Sequence, residues 1–156
     1  MARITGVQAQ GYRIPLDVKL TDSTHGVMEA FELLTVRVHD ADGGLGVGYT
    51  YTTGRNGGAI HDILSREIPE LVGEEDADLI ERLWNRVWWG LHYGGRGGPS
   101  VLALSAFDIA LWDLKARRAG LPLWKLLGGN DPAVPCYAGG IDLELTAPEL
   151  IAQTDG

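Results

Sequence analysis

The sequence predicts an α+β fold: a three-stranded antiparallel meander followed by a helical bundle. Three observations carry this. Before Thr52 the chain reads as strands, and in Glu29–Asp40 apolar residues alternate with polar ones as they do along a half-buried strand. From Ile60 onward they recur at three- and four-residue spacing, which is helical. The two patterns do not interleave, so the repeated strand–helix alternation that builds a parallel sheet is missing.

Arg3–Pro15 reads as the first strand, with Ile4, Val7, Tyr12 and Ile14 as its apolar content and the proline as its end. Leu16–Gly26 (LDVKLTDSTHG) is polar and shows no period, so it reads as a connecting loop. Glu29–Asp40 then alternates, with Leu34, Val36 and Val38 on one face and Thr35, Arg37 and His39 on the other. Asp40–Gly44 (DADGG) is turn chemistry, because glycine and aspartate accept the positive φ of tight turns. Leu45–Thr52 returns as the third strand.

Ile60, Ile63, Leu64, Ile68 and Leu71 then keep helical spacing, as do Leu79, Ile80, Leu83, Trp84, Val87 and Leu91. Glycine-rich His92–Gly98 separates the second of these helices from a third. Pro99 suits the first turn of that third helix, where its missing N–H is not needed. Leu102, Ala106, Ile109, Ala110 and Asp113 form its expected buried stripe, and Gly120 stands where a left-handed C′ residue belongs. Val134–Ala138 (VPCYA) reads as a short strand before Gly139-Gly140, and Thr146-Ala-Pro-Glu149 as a helix start with threonine at N-cap and glutamate at N3. That strand and helix make one βα unit without a partner strand, so the chain is expected to stop inside a second domain.

Composition narrows the class of function. A chain of 156 residues can bury about two-thirds of its unfolded surface, and 45% apolar with 22% charged residues is globular. A net charge of -8 argues against nucleic acid or an anionic membrane surface as partner. The single cysteine, Cys136, has no partner within the chain, which fits a reducing cytoplasm. The N-terminus lacks the apolar core of a signal peptide, and no run reaches the roughly 18 apolar residues of a membrane helix. The expected location is the cytoplasm.

Several suggestive motifs reduce to structure. Asp108 and Asp113 lie about 140° apart around one helix, so they do not converge as an acid pair, and Asp113 reads as a structural carboxylate paired with an arginine. His39 and His61 each lack a metal-ligand neighbour at helical spacing. Asp40-Ala-Asp42 has Gly44 and Leu45 where a calcium loop needs a ligand and its turn glycine. Gly44, Gly46 and Gly48 sit inside a strand pair rather than opening a helix, which excludes a dinucleotide loop. Trp84, Trp88 and Trp89 read as core and domain-interface packing rather than a stacking platform.

The segment Ser105–Gly129, with ALWDLKARRAGLPLWKLLGG at Ala110–Gly129, and the YAGG of Tyr137–Gly140 closely resemble the mandelate racemase/muconate lactonizing enzyme family of the enolase superfamily. The resemblance runs over the whole chain. It implies an enolase-like N-terminal capping domain at residues 1–129 and the first βα unit of a truncated TIM-type (β/α) barrel at residues 130–156. In that family a lysine or histidine base removes the proton α to a carboxylate while Mg²⁺ stabilises the ene-diolate. The resemblance places the base and the carboxylate metal ligands beyond Gly156, so no catalytic or metal-binding residue is assigned here and the chain alone is expected to be inactive.

The same resemblance implies that two loops, matching Asp17–Gly26 and Thr50–Gly58, close over the barrel mouth and select the substrate. The substrate-binding candidates on them are Thr21, Ser23, His25, Tyr51, Thr52, Arg55 and Asn56. Hydroxyls can bond Thr21, Ser23 and His25, and a carboxylate can take the fork of Arg55. A polyhydroxylated acid fits these groups, so the intact enzyme is expected to be a Mg²⁺-dependent acid-sugar dehydratase. A racemase, epimerase or cycloisomerase of the same family is the alternative. The expected partners are the acid-sugar carboxylate, the rest of the barrel and further copies of the chain. A stand-alone, non-catalytic binding module is the competing class, and the unfinished helix start at Thr146 weighs against it.

Overall fold

The computed structural model describes residues 2–137 and 145–154. Three strands, β1 (Ile4–Asp22), β2 (Gly26–Asp40) and β3 (Leu45–Thr52), form one antiparallel sheet in that order, which is the expected meander. Helices follow: α1 (Gly57–Asp62), a π-helical turn (Ile63–Glu67), α2 (Ile68–Val72), α3 (Ile80–Gly90), α4 (Pro99–Ala119), α5 (Leu123–Leu126) and α6 (Ala147–Thr154). The wide π turn comes just ahead of Pro69, whose ring and missing N–H disfavour a regular turn there. Leu34, Val36 and Val38 are buried, as their alternation requires, and share one core with Ile60, Leu64, Ile68, Leu83, Phe107, Leu111 and Leu114. His39, on the other sheet face, keeps a buried Nε2 with no hydrogen-bond partner.

Three expectations need correction. Leu16–Asp22 is not a loop but the continuation of β1. Past an irregularity between Pro15 and Leu20, the strand pairs again, Leu20 with Met28, Thr21 with Val27 and Asp22 with Gly26. Only Met28 of the paired residues in this ribbon is buried, so little apolar alternation is required and the sequence period is silent there. Next, Val134–Tyr137 carries no strand, and Val134 and Tyr137 are 74% and 95% exposed. No described strand lies beside it to share its hydrogen bonds. Ala138–Gly140 of the same expectation lies outside the described residues. The helix start at Thr146 does form: the Thr146 N–H and hydroxyl both donate to Glu149 Oε2, at 2.7 and 2.6 Å.

The third correction concerns α4. Leu102 and Ile109 are more than a third exposed, while Ala103, Ala106, Phe107, Ala110, Leu111 and Leu114 are buried. The buried stripe includes Ala106 and Ala110 because α4 lies there against the backbone of β3. A Cβ on Gly46 would stand 2.0 Å from the Ala110 carbonyl oxygen, and one on Gly48 1.9 Å from that of Ala106. The alternate glycines of β3 therefore make room for a helix. Asp113 holds the same seam, accepting from Val47 N–H (2.8 Å) and Arg117 Nε (2.7 Å), which is the structural carboxylate–arginine role expected for it. Gly120 ends the helix at φ 64°, and Leu121 N–H reaches back to the Ala116 carbonyl, 3.1 Å away.

The Asp40 carboxylate is fully buried and accepts from Asp42 N–H (2.9 Å), Gly44 N–H (2.6 Å) and Arg118 (3.1 Å). It is thus the knot of the β2–β3 turn. Trp84 and Trp88 stack at 5.1 Å and flank the core, whereas Trp89 is 58% exposed. The guanidinium of Arg96 in the glycine-rich segment lies 4.7 Å from the Trp88 ring and 4.5 Å from that of Trp89.

Candidate functional site

The core-facing side of the sheet changes character at one end. On β1 the parity of Val7, Ala9 and Gly11 continues to Arg13, and on β2 that of Val36 and Leu34 continues to Glu32. Arg13 and Glu32 are cross-strand partners. Two concavities open beside them. One, of about 350 Å³, is lined by Gly11, Tyr12, Arg13, Glu32, Gly57 and His61, among others. The other, of about 420 Å³, has Val27–Ala30 and Arg13 on the hairpin side and Thr53 and Gly54 on the loop side. The base of the β1–β2 hairpin and the β3–α1 loop thus border one hollow; of the two segments expected to act on substrate, Thr50–Gly58 contributes Thr53 and Gly54 to its lining and Asp17–Gly26 contributes none.

The seven candidate residues do not line it. Thr21, Ser23 and His25 stand at the hairpin tip, where Asp22 organises the turn. Its carboxylate accepts the N–H groups of His25 and Thr24, and His25 Nδ1 lies 2.7 Å from Asp22 Oδ2. The His25 N–H bond, ahead of the His25 ring, holds the Asp22 carboxyl down to about 2. Behind the tip, the Lys19 ammonium donates to Glu29, which raises the Lys19 pKa and lowers that of Glu29. Because β3 ends opposite Glu32, the tip overhangs it by the length of Gly26–Phe31, about 20 Å of ribbon.

The second group is itself divided. Tyr51 lies on the sheet face opposite Thr52, edge-on to Phe31 at 5.7 Å. The Thr52 hydroxyl donates to Glu32 Oε2 at 2.6 Å and accepts from Gly54 N–H at 3.2 Å. Arg55 is exposed and makes no ion pair among the described residues. Asn56 adopts the left-handed conformation (φ 69°), which asparagine tolerates better than most residues, and its carbonyl accepts the first α1 bond from Ile60 N–H.

Sequence reasoning missed Arg13 and Glu32. The signal was available: both are charged residues at core-facing parity, next in line after Gly11 and Leu34. His61, a lone histidine in the sequence, lines the first concavity. A separate cavity of about 320 Å³ between α3 and α4 is lined by Trp84, Trp112, Asp108 and Glu81, and burial there pushes the Asp108 carboxyl up. Among the described residues no three His, Cys, Asp or Glu side chains gather as a metal ion requires, and no helix is long and apolar enough to cross a membrane.

Comparison with known proteins follows the same outline. The chain is 54% identical to the 3,6-anhydro-alpha-L-galactonate cycloisomerase of Streptomyces coelicolor over 97% of its own length and 42% of the cycloisomerase. It is 36% identical to the L-talarate/galactarate dehydratase of Salmonella typhimurium over 78% of its length and 30% of that enzyme. The chain therefore spans well under half of these relatives. In structure it matches a Streptomyces coelicolor racemase with bound magnesium at TM-score 0.95 and 54% identity, covering 97% of the chain and 43% of the racemase. It matches the Polaromonas L-talarate dehydratase complexed with Mg and L-glucarate at 0.89 and 34%, covering 99% and 43%. Residues 7–128 match the N-terminal domain of the mandelate racemase/muconate lactonizing enzyme family, and the chain belongs to that family.

Proposed function

We propose that this chain is the substrate-capping part of a Mg²⁺-dependent enzyme acting on acid-sugar carboxylates, and that it has no turnover by itself. One observation carries the reading: the β1–β2 hairpin and the β3–α1 loop border a single polar hollow beside Arg13 and Glu32, on the only described sheet. A guanidinium, a carboxylate, Thr53 and the loop backbone offer donors and acceptors suited to hydroxyls and a distal carboxylate. Arg55, exposed on the adjoining loop, adds a second fork. Closing such loops excludes water and holds the distal end of the substrate, a role that needs no catalytic group on the cap.

Magnesium belongs to the proposed intact enzyme, as in the Streptomyces and Polaromonas structures. The described residues bring no ligand set together, so no chemical step is assigned to them. Two reactions compete. Dehydration follows from the sequence reading and the dehydratase relatives, whereas 54% identity across nearly the whole chain, both capping segments included, favours a cycloisomerase. The second carries more weight, because substrate selection resides in these segments.

Two measurements on the chain test the reading. Millimolar galactarate or 3,6-anhydro-L-galactonate is expected to perturb amide resonances of residues 26–30 and 53–58 and to leave α3 unmoved. Incubation with Mg²⁺ and either acid is expected to give no product. Uniform or absent perturbation removes the capping role, and turnover would place chemistry on this chain.

A further inference from the structure

One oxygen of Glu32 holds both ends of the β3–α1 loop. Glu32 Oε2 accepts the Thr52 hydroxyl at 2.6 Å and Gly57 N–H at 3.0 Å. The Thr52 hydroxyl oxygen in turn accepts Gly54 N–H at 3.2 Å. Between these anchors the backbone takes two left-handed turns, at Gly54 (φ 95°) and Asn56 (φ 69°). Asn56 is the sole non-glycine residue with positive φ among the described residues, and such backbone persists only where its surroundings over-determine it. Gly57 is buried against the same carboxylate: a Cβ there would stand 2.6 Å from Glu32 Oε2.

We propose that Glu32 is the positioning residue that shapes the Thr53–Asn56 loop and so sets how Arg55 is presented to substrate. The inference rests on the capping role proposed above, but its structural half does not. A charge-assisted acceptor is stronger than a neutral one, and here a single carboxylate serves two donors that lie five positions apart. Glu32 is a strand residue with core-facing parity, so its backbone is fixed by pairing with Arg13 on one side and Thr52 on the other. The loop is thereby tied to the rigid sheet rather than to another loop. Thr52 belongs to the same device, since its hydroxyl proton is directed inward to Glu32.

Amide exchange followed by NMR on the chain tests this. In Glu32→Ala the Gly54 and Gly57 amides are expected to exchange at least about tenfold faster, while Val36 and Val38 stay within about twofold of the parent. Glu32→Gln keeps an acceptor oxygen and is expected to restore half or more of the lost protection. Gly57→Ala, which displaces the carboxylate, is expected to loosen Gly54 although it leaves Thr52 and Glu32 in place. Unchanged Gly54 and Gly57 in Glu32→Ala would overturn the proposal, as would equal acceleration of core and loop, which would make Glu32 a general stabiliser. A glutamine variant no better than alanine, or a Gly57→Ala variant with Gly54 still protected, would overturn it as well. If these results hold while acid sugars leave the loop unperturbed, the capping reading fails and the loop-shaping role stands.

Discussion

Along the core-facing side of the sheet, the end near the β2–β3 turn and the end near the β3–α1 loop are built on opposite plans. At the turn end, Gly46 and Gly48 bring α4 against the strand backbone, and Asp40 and Asp113 each join a strand amide or turn to an arginine of α4. At the loop end, Arg13 and Glu32 take the positions that valine and glycine hold further along, and concavities open beside them. The strands and their alternation are the same at both ends. What differs is the size and charge of the residue at each inward position. Small residues admit a helix to backbone contact, and the one buried carboxylate there, Asp40, is matched by Arg118, whereas concavities lie beside Arg13 and Glu32.

The sharpest break of this contrast is Gly48→Ala. Its Cβ meets the Ala106 carbonyl, a backbone atom that can yield only by moving α4, so a loss of about 3 kcal/mol or more is expected in urea denaturation. A loss under about 1 kcal/mol would mean that the seam is loose. Asp40→Ala leaves Arg118 without its buried partner and two turn amides unsatisfied, which is expected to cost about 3 kcal/mol. Asp40→Asn, still an acceptor, is expected to cost less.

Trp112→Ala is the intermediate case. A fully buried indole would cost about 3–5 kcal/mol, but Trp112 is only partly buried, with the Lys115 ammonium 5.3 Å from its ring, so about 2 kcal/mol is expected. The smallest effect lies at the hairpin tip. The folded pKa of Asp22, about 2, is below its ordinary 3.8, so whatever the turn gains from the ionised form is present above pH 4 and lost as pH falls through 2. The Thr24 and His25 amide resonances are expected to titrate there while global unfolding does not follow. Titration of the two amides near the ordinary aspartate value would show that Asp22 does not hold the turn.

Much of the scaffold was legible because it depends on near neighbours along the chain. Period-2 alternation announced β2, the DADGG turn the tight reversal into β3, Gly120 a helix stop, and Thr146 with Glu149 a helix start. Each rests on backbone conformation or on contacts a few residues away. The candidate site was less legible. Thr21, Ser23 and His25 were read as part of a capping loop, but hairpin pairing carries them about 20 Å past the end of β3. Arg13 and Glu32 lie 19 residues apart and meet only through register.

Chain-local physics thus settled the class of fold, the strand that faces the core and the caps of the helices. The signature at Ala110–Gly129 belongs to both levels. Its helix and its glycine stop could be read directly, but which side of that helix is buried could not. That choice falls to the glycines of β3, which lie more than 50 residues earlier and let the backbone at Ala106 and Ala110 approach closely, with Phe107, Leu111 and Leu114 buried alongside. The same holds for Glu32, whose carboxylate becomes a loop anchor only once Thr52 and Gly57 are folded to either side of it. Propensity and period are properties of neighbours in sequence, and a seam or a clamp is a property of neighbours in space.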